Sequence, residues 1–249
     1  MHFLVQPVLL FLFLLLTTPA HALDPAAIIR QVEDNLNGKT LFMKLSMTVH
    51  TKRTKRTMKM DSYSIGKEKS FIKITYPGKN KGITFLKIDN AMWQYVPRIE
   101  KIIKIPASMM LQSWMGSDFS NDDLVRESSI SDDYQISLAG ETDGEYEVLL
   151  IPHEDSAVVW GKIIMSVSKE FQLPTTVRYY DEDGLLVRTL SYEDIRRFGE
   201  RFYPSRWVMQ PMTDEKKGHQ TIVIIDEARF DQEISGGYFT KRALKRYSK

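Results

Sequence analysis

Hydrophobic and polar residues alternate along most of this chain, which is the pattern of β-strands that bury one face. In LFMKLSMTV, five apolar side chains point to one side: Leu41, Met43, Leu45, Met47 and Val49. Similar segments continue towards the C-terminus and predict roughly twelve strands. Most are joined by short turns such as GKEK, PGKNKG and DEDG, which join neighbouring antiparallel strands. A sheet of so many strands must curl or close on itself. The pattern therefore predicts a mainly β (α+β) fold built on a single curved antiparallel sheet.

A helix is predicted before the first strand, in DPAAIIRQVEDNLNG. Asp24 suits the N-cap, Pro25 the first turn and Gly38 the C-terminal stop. Its apolar residues recur at helical spacing and form one stripe that must pack on another element: Ile28, Ile29, Val32 and Leu36. No Gly/Ser-rich linker or shift in composition divides the chain, so residues 23–249 are expected to form a single domain.

The first 22 residues carry the pattern of a secretory signal peptide. An apolar run, FLVQPVLLFLFLLLTT, precedes PAHA, in which Ala20 and Ala22 suit cleavage after Ala22. An uncleaved membrane anchor is the alternative, although the run is short for a span of about 20 apolar residues. The sequence has no cysteine, which excludes disulfides, a thiol nucleophile and a lipidated cysteine. An exported chain of this composition fits the bacterial periplasm.

The segment IPASMMLQSWMGSDFS, residues 105–120, interrupts the strand pattern and carries no charge before Asp118. Methionine is flexible and polarizable, so it suits surfaces that accommodate variable apolar partners. For any single methionine, the filling of an ordinary core is the alternative. Five apolar side chains in a short non-strand element together favour contact with an apolar ligand: Met109, Met110, Leu111, Trp114 and Met115.

The net charge of +2 conceals two oppositely charged regions. Residues 39–87 hold thirteen Lys or Arg and two acids, whereas residues 118–155 hold twelve acids and one base. A predicted hairpin in the first region carries four cations that are expected to contact anionic head groups or a protein partner: Lys52, Arg53, Lys55 and Arg56. An ordinary solvated hairpin is the alternative. A near-neutral exported chain is not expected to bind nucleic acid.

Catalytic and metal-binding signatures are weak in this sequence. The histidines of the mature chain, His50, His153 and His219, have no partner at metal-ligand spacing. Paired acids such as Asp122 and Asp123 lie in polar, turn-like stretches, where carboxylates are usually solvated. The sequence therefore predicts a non-enzymatic protein without a metal or cofactor.

The stretch DNAMWQYVPRIEKIIKIPASMMLQSWMGSDFSNDDL resembles the signature of the LolA-like outer-membrane lipoprotein-sorting proteins. The matching positions are Trp93, Tyr95 and Pro97, then Met-Gly-Ser-Asp-Phe-Ser at residues 115–120, then Asp123 and Leu124. The Met-Gly-Ser-Asp-Phe-Ser run marks a branch distinct from LolA itself. The resemblance covers nearly all of the mature chain. It implies an incomplete barrel whose concave face is covered by the N-terminal helix and short central helices.

In that family the concave face takes acyl chains, so the resemblance implies a periplasmic carrier that shields a lipoprotein or another lipid on its way to the outer membrane. We expect three groups of residues to line the cavity and its lid: the alternating face of residues 41–49, Trp93, and the five apolar residues at 109–111, 114 and 115. The segment is hypothesised to act as a lid that hinges near Met115 and Gly116. Expected partners are an inner-membrane transporter and an outer-membrane acceptor, and the carrier is expected to be a monomer. The alternative is a non-enzymatic adaptor or accessory partner of an RND-type envelope lipid exporter.

Overall fold

The computed structural model describes residues 23–126, 130–156 and 158–249, so the predicted signal peptide lies outside the described residues. The strands are β1 (Thr40–His50), β2 (Lys55–Ile65), β3 (Lys69–Tyr76), β4 (Thr84–Ile88), β5 (Ala91–Val96), β6 (Lys101–Lys104), β7 (Tyr134–Glu141), β8 (Glu145–Pro152), β9 (Lys162–Ser168), β10 (Pro174–Tyr180), β11 (Leu186–Phe198), β12 (Arg201–Pro211) and β13 (Gln220–Phe230). The α-helices are α1 (Pro25–Asn37), α2 (Asp123–Arg126), α3 (Ile130–Asp133) and α4 (Lys241–Arg246). Within these described ranges, no helix has the length and apolar character needed to cross a bilayer.

All thirteen strands belong to one antiparallel sheet, in the order β6-β5-β4-β3-β2-β1-β13-β12-β11-β10-β9-β8-β7. The chain runs outward from β1 to one edge, crosses to the other edge, and returns until β13 pairs with β1. The edge strands β6 and β7 do not pair with each other in the part of the chain that is described. The predicted single antiparallel sheet and incomplete barrel are therefore confirmed. Residues 105–133 connect the two edges.

The sheet is curved around its apolar side. Laid flat, thirteen strands would span about 60 Å at the usual strand spacing. The apolar side nevertheless forms one continuous cluster that includes Met92 of β5 and Val148 of β8, from opposite halves of the sheet. We call this side the inner face. The predicted alternation in β1 places four side chains in this cluster, and Val49, next in the alternation, is buried as well: Leu41, Met43, Leu45 and Met47.

Helix α1 lies on the inner side of the sheet, where it contacts β7, β12 and α3. Asp24 caps it by accepting a hydrogen bond from the Ala26 amide at 2.9 Å, and Pro25 occupies the first turn. Gly38 follows with a φ of 59°, and a Cβ atom there would lie only 2.8 Å from the Asp231 carboxylate. The predicted helix and its limits are confirmed. Its apolar stripe packs into the inner cluster: Ile28, Ile29, Val32 and Leu36.

The outer face carries a second apolar cluster, which the sequence analysis did not anticipate. Helix α4 contacts β4, β5 and β6 there, and the Thr84 hydroxyl donates a hydrogen bond to the Leu244 carbonyl at 2.7 Å. The basic sequence KRALKR therefore has a buried side as well as a charged one. Helices lie on both faces of the sheet and not only on the concave one. The cluster consists of Phe71, Leu86, Tyr95, Phe239, Ala243 and Leu244.

Candidate functional site

The segment of residues 105–120, from here on the central segment, lies over the inner face. Short 3-10 helices form within it at Ala107–Met109 and Trp114–Gly116. The Trp114 side chain is only 3% exposed, and its ring centre lies 5.3 Å from that of Phe85 on β4. The central segment therefore fills part of the interior with a large aromatic side chain.

The other apolar residues of the central segment divide between its two sides. Met110 and Met115 pack partly against the inner cluster. Met109 and Leu111 face solvent, with 38% and 58% of their surface exposed. The segment thus has an inner side that occupies the interior, as a cover requires, and an outer side that exposes two apolar side chains to solvent.

Arg56 of β2 ties the central segment to the sheet. Its guanidinium donates hydrogen bonds to the carbonyl oxygens of Met115, at 2.8 Å, and of Gly116. Both accepting residues have left-handed backbone, with φ of 50° at Met115 and 67° at Gly116. A Cβ atom at residue 116 would displace the Arg56 guanidinium, so glycine suits the left-handed backbone and also permits this contact. Arg56, which the sequence analysis assigned to head groups or a partner, holds the kink at the predicted hinge.

Asp118 anchors the central segment to β13. Its backbone amide donates to the Thr221 hydroxyl at 3.0 Å, and that hydroxyl donates to the Asp118 carboxylate at 2.7 Å. Thr221 is fully buried. Nearby, the Ser117 hydroxyl donates to the Trp114 carbonyl at 2.7 Å. The polar residues of the Met-Gly-Ser-Asp-Phe-Ser run therefore fix the shape and position of the segment.

A buried ion pair joins the chain just after the central segment to the other half of the sheet. Asp123 contacts both ends of the Arg188 guanidinium, with 2.8 Å between Oδ2 and Nη1, and the two side chains are 9% and 8% exposed. Asp123 also accepts from the Ser120 amide at 2.7 Å, while the Ser120 hydroxyl accepts from the Asp123 amide at 3.2 Å, as in a capping box. The Arg188 guanidinium lies 4.4 Å from the Trp160 ring centre and 4.3 Å from that of Tyr179. The prediction of a solvated Asp123 is wrong, because its partner is distant in sequence.

A cavity of about 190 Å³ opens beside the end of α1 and the start of α2. Leu41 and Met43, both predicted to line the interior, form part of its wall. The Lys67 ammonium, also on the wall, lies 3.3 Å from the buried Glu33 carboxylate. Burial lowers the pKa of Lys67, but the carboxylates of Glu33 and Asp132 outweigh it, and the net shift is upward. The polar side of the cavity is formed by Ser62, Ser64, Ser70, Lys67, Lys69 and Lys87.

Trp93 does not line the interior, contrary to the prediction. On β5 it is Met92 that belongs to the inner cluster, while Trp93 packs against the outer one. The ammonium groups of Lys104 and Lys241 lie 5.9 and 4.8 Å from its ring centre. Trp93 therefore helps to seat the C-terminal helix on the outer face.

The remaining cations of the predicted contact group, Lys52, Arg53 and Lys55, are exposed around the turn between β1 and β2. Their contact with head groups or a partner stays a prediction. The same is true of acyl-chain binding by the inner-face residues.

Sequence reasoning missed two charged residues on the inner face, Arg188 and Lys87. Each points inward because side chains two residues apart in a strand share a face. Arg188 is two residues before Leu190, and Lys87 is two residues after Phe85; both apolar residues belong to the inner cluster. A charge in phase with the apolar positions of a strand was the available signal. Such a charge needs a buried partner or marks a binding site.

Comparison with known proteins agrees with this architecture. A family model described as "Uncharacterized protein" matches residues 66–246. None of the curated proteins matches the chain. A DUF1329 family protein from Desulfovibrio piger is 22% identical, with a TM-score of 0.79 over 89% of this chain and 100% of that one. A putative outer membrane lipoprotein-sorting protein domain from Vibrio parahaemolyticus is 19% identical, with a TM-score of 0.77 over 89% and 98%. A LolA superfamily protein from Nitrosomonas europaea is 19% identical, with a TM-score of 0.73 over 89% and 99%. At these identities the solved structures show a shared fold.

Proposed function

Because the chain belongs to the family of uncharacterized proteins whose model matches residues 66–246, and because it has the fold of LolA-superfamily proteins, we propose that it is a periplasmic lipid carrier. In this proposal the inner face shields the acyl chains of a lipoprotein or another lipid during transport toward the outer membrane. An inner-membrane transporter delivers the cargo and an outer-membrane acceptor receives it. No catalytic step is part of the proposal.

The observation that carries the proposal is that a continuous apolar face, built from both halves of the sheet, is covered by a separate segment instead of a second sheet. Burial of an acyl chain contributes roughly 0.8 kcal/mol per methylene, so even half of a typical chain supplies several kcal/mol. An empty cavity large enough for that chain would destabilise the protein by a comparable amount. A cover that fills the interior in the absence of cargo avoids that cost.

Cargo requires the central segment to move. The cavity of about 190 Å³ beside α1 is smaller than the roughly 300–1,000 Å³ of typical ligand sites. Two larger clefts, of about 440 and 540 Å³, are bordered by the central segment itself, through Leu111 and Met110. The Trp114 ring occupies interior space beside Phe85. The contacts that Arg56 and Thr221 make with the segment are hydrogen bonds, so they can break without any change in strand pairing. The central segment is therefore the part of the fold best suited to act as a lid.

An oxidised Asp118→Cys/Thr221→Cys variant is expected to lose uptake of a fluorescent fatty acid, and reduction is expected to restore it. The amide of Asp118 lies 3.0 Å from the Thr221 hydroxyl, so a disulfide between these positions would hold the central segment on β13. The chain has no native cysteine, which makes the cross-link unambiguous. Titration of the mature protein with and without reductant measures the effect.

The wild-type protein under the same two conditions is the control for this experiment. Absence of uptake by the wild-type protein would contradict the carrier function. Equal uptake by the oxidised and reduced variant would leave the carrier function intact but contradict the moving lid.

A second function, as a non-enzymatic adaptor of an RND-type lipid exporter, is favoured by apolar side chains exposed near the β6 edge. They lie on β6 and on the outer side of the central segment, and they would suit contact with another protein: Ile102, Ile103, Met109 and Leu111. A chain that takes up no lipid but binds such a partner through these residues would fit the adaptor and not the carrier.

Reversing the three exposed hairpin charges, in Lys52→Glu/Arg53→Glu/Lys55→Glu, is expected to weaken binding to vesicles that contain phosphatidylglycerol. Each cation near an anionic surface contributes about 1 kcal/mol at low salt, so three together account for roughly a 100-fold loss. Vesicle sedimentation at low ionic strength measures it. Lys79→Glu/Lys81→Glu, in the exposed turn between β3 and β4, is the control. If the control loses as much affinity per reversed charge, binding depends on the net charge of the protein and not on the position of the hairpin.

A further inference from the structure

The wall of the cavity beside α1 is chemically mixed. Leu41, Met43 and Ile72 give it an apolar part that continues into the inner cluster. On the same face of the sheet, Ser64, Ser70 and Lys87 lie side by side in the strand register and form a row of hydrogen-bond donors that starts beside Leu41. Ser62, Lys67 and Asp123, the last paired with Arg188, also border the cavity. An apolar part that leads into a row of donors ending at a lysine matches an amphiphile that has an acidic head group.

Lys87 is the most buried cation of this wall, with 6% of its surface exposed. It lies on the inner side of β4, directly opposite Ser70 of β3. Its ammonium donates a hydrogen bond to the Lys67 carbonyl at 2.6 Å, in the turn between β2 and β3. This bond fixes the position of the side chain, and Lys87 is one of the residues that line the cavity.

The charge on Lys87 is held in an unfavourable environment. Burial lowers its pKa to about 8, in spite of the carboxylates of Glu68 and Asp89, and the neighbouring Lys67 adds to the lowering. At neutral pH the ammonium therefore still carries its charge. A ligand anion at this position would recover part of the solvation that burial removes.

We propose that the Lys87 corner of the cavity, with Ser70 and then Ser64 next to it in the strand register, binds the phosphate or carboxylate head group of the transported amphiphile. The acyl chain then follows the wall of Leu41 and Met43 into the space that the central segment covers. This assignment rests on the proposed carrier function and specifies its cargo as an acidic lipid. It also places the head group inside the cavity and not at the exposed β1–β2 hairpin.

The test compares three probes that share one oleoyl chain: lysophosphatidic acid, oleate and neutral monoolein. The wild-type protein is expected to bind at least one acidic probe roughly tenfold more tightly than monoolein, as a charge-assisted contact implies. Lys87→Met is expected to remove that preference while leaving the affinity for monoolein unchanged. Lys87→Arg is expected to keep the preference. Lys59→Met, which removes an exposed cation of β2, is the matched control and is expected to behave as wild type.

Ser70→Asp is a second variant, which keeps Lys87 but places a carboxylate opposite it in the strand register. It too is expected to lose the preference for acidic probes, because the new carboxylate competes for the ammonium. Comparing the phosphate with the carboxylate probe shows which head group the site takes. A preference that survives in both Lys87→Met and Ser70→Asp would overturn the assignment. Failure of the wild-type protein to bind any of the three probes would instead overturn the carrier function itself.

Discussion

Replacement of Arg188 by methionine is expected to lower the free energy of unfolding by about 3–5 kcal/mol, as the loss of one partner from a buried ion pair does. The variant keeps the Asp123 carboxylate in a site where it is only 9% exposed, but removes the guanidinium that balances its charge. It also removes the cation that lies against the rings of Trp160 and Tyr179. Urea denaturation followed by tryptophan fluorescence gives the free energy from the midpoint and slope.

Two further variants separate the buried pair from general effects of removing an arginine. Arg197→Met removes an ion pair with Glu200 whose side chains are 61% and 94% exposed, and it is expected to cost less than about 1 kcal/mol. Asp123→Leu/Arg188→Met replaces both members of the buried pair by apolar groups and is expected to recover most of the loss. If Arg188→Met costs no more than Arg197→Met, the pair does not anchor α2 to the sheet.

Replacement of Trp114 by alanine is expected to destabilise the ligand-free protein by about 3–5 kcal/mol and yet to strengthen acyl-chain binding. The indole is 3% exposed and fills the interior beside Phe85, so its removal leaves a void. In the proposed mechanism the closed central segment competes with cargo for that space. A weaker closed state raises the population that can accept cargo, and the apparent dissociation constant falls accordingly.

Oleate titrations and urea unfolding with and without oleate measure both halves of this prediction. Leu111→Ala lies in the same segment but changes a side chain that is 58% exposed, so its stability is expected to stay within about 0.5 kcal/mol of wild type. Its affinity for oleate is expected to be unchanged. A Trp114→Ala variant that loses affinity together with stability would show that the indole forms part of the binding wall and does not compete with the chain.

Much of the fold could be predicted because its determinants are local in sequence. The alternation of apolar residues in β1 alone specifies which side is buried, since Lys44 and Met43 point in opposite directions. The helix limits follow from Asp24 and Gly38, each of which satisfies a backbone requirement at one end of α1. Local patterns cannot show that the sheet stays open between its edge strands or that a separate segment covers its inner face. The family resemblance in the Met-Gly-Ser-Asp-Phe-Ser run predicted both features.

The choice of face was not predictable where a strand is apolar on both sides. In β4 four successive residues are buried, with Phe85 in the inner cluster and Leu86 in the outer one. The neighbouring Trp93 was assigned inward for the same reason, although it packs outward. Helix α4 has only six residues, too few to be stable alone, and depends on the outer face that it covers.

The anchors of the candidate lid were missed because their partners are far apart along the chain. Asp123 and Arg188 are separated by 65 residues, and Asp118 and Thr221 by 103. Asp118 and Asp123 look solvated in their own sequence context, and the strand phase that marks Arg188 as inward does not identify its partner. Only the curvature of the sheet brings β11 and β13 to the segment that covers them, so no local pattern specifies the pairs.

Native mass spectrometry of the mature protein, purified from a periplasmic fraction and followed by lipid extraction, tests the carrier function most directly. A carrier is expected to yield a bound acylated species in a one-to-one complex, and a phosphate or carboxylate head group on the extracted lipid. A ligand-free protein that also fails to take up added fatty acid would contradict it. That result would make the exposed apolar residues of the central segment a docking surface for a protein partner.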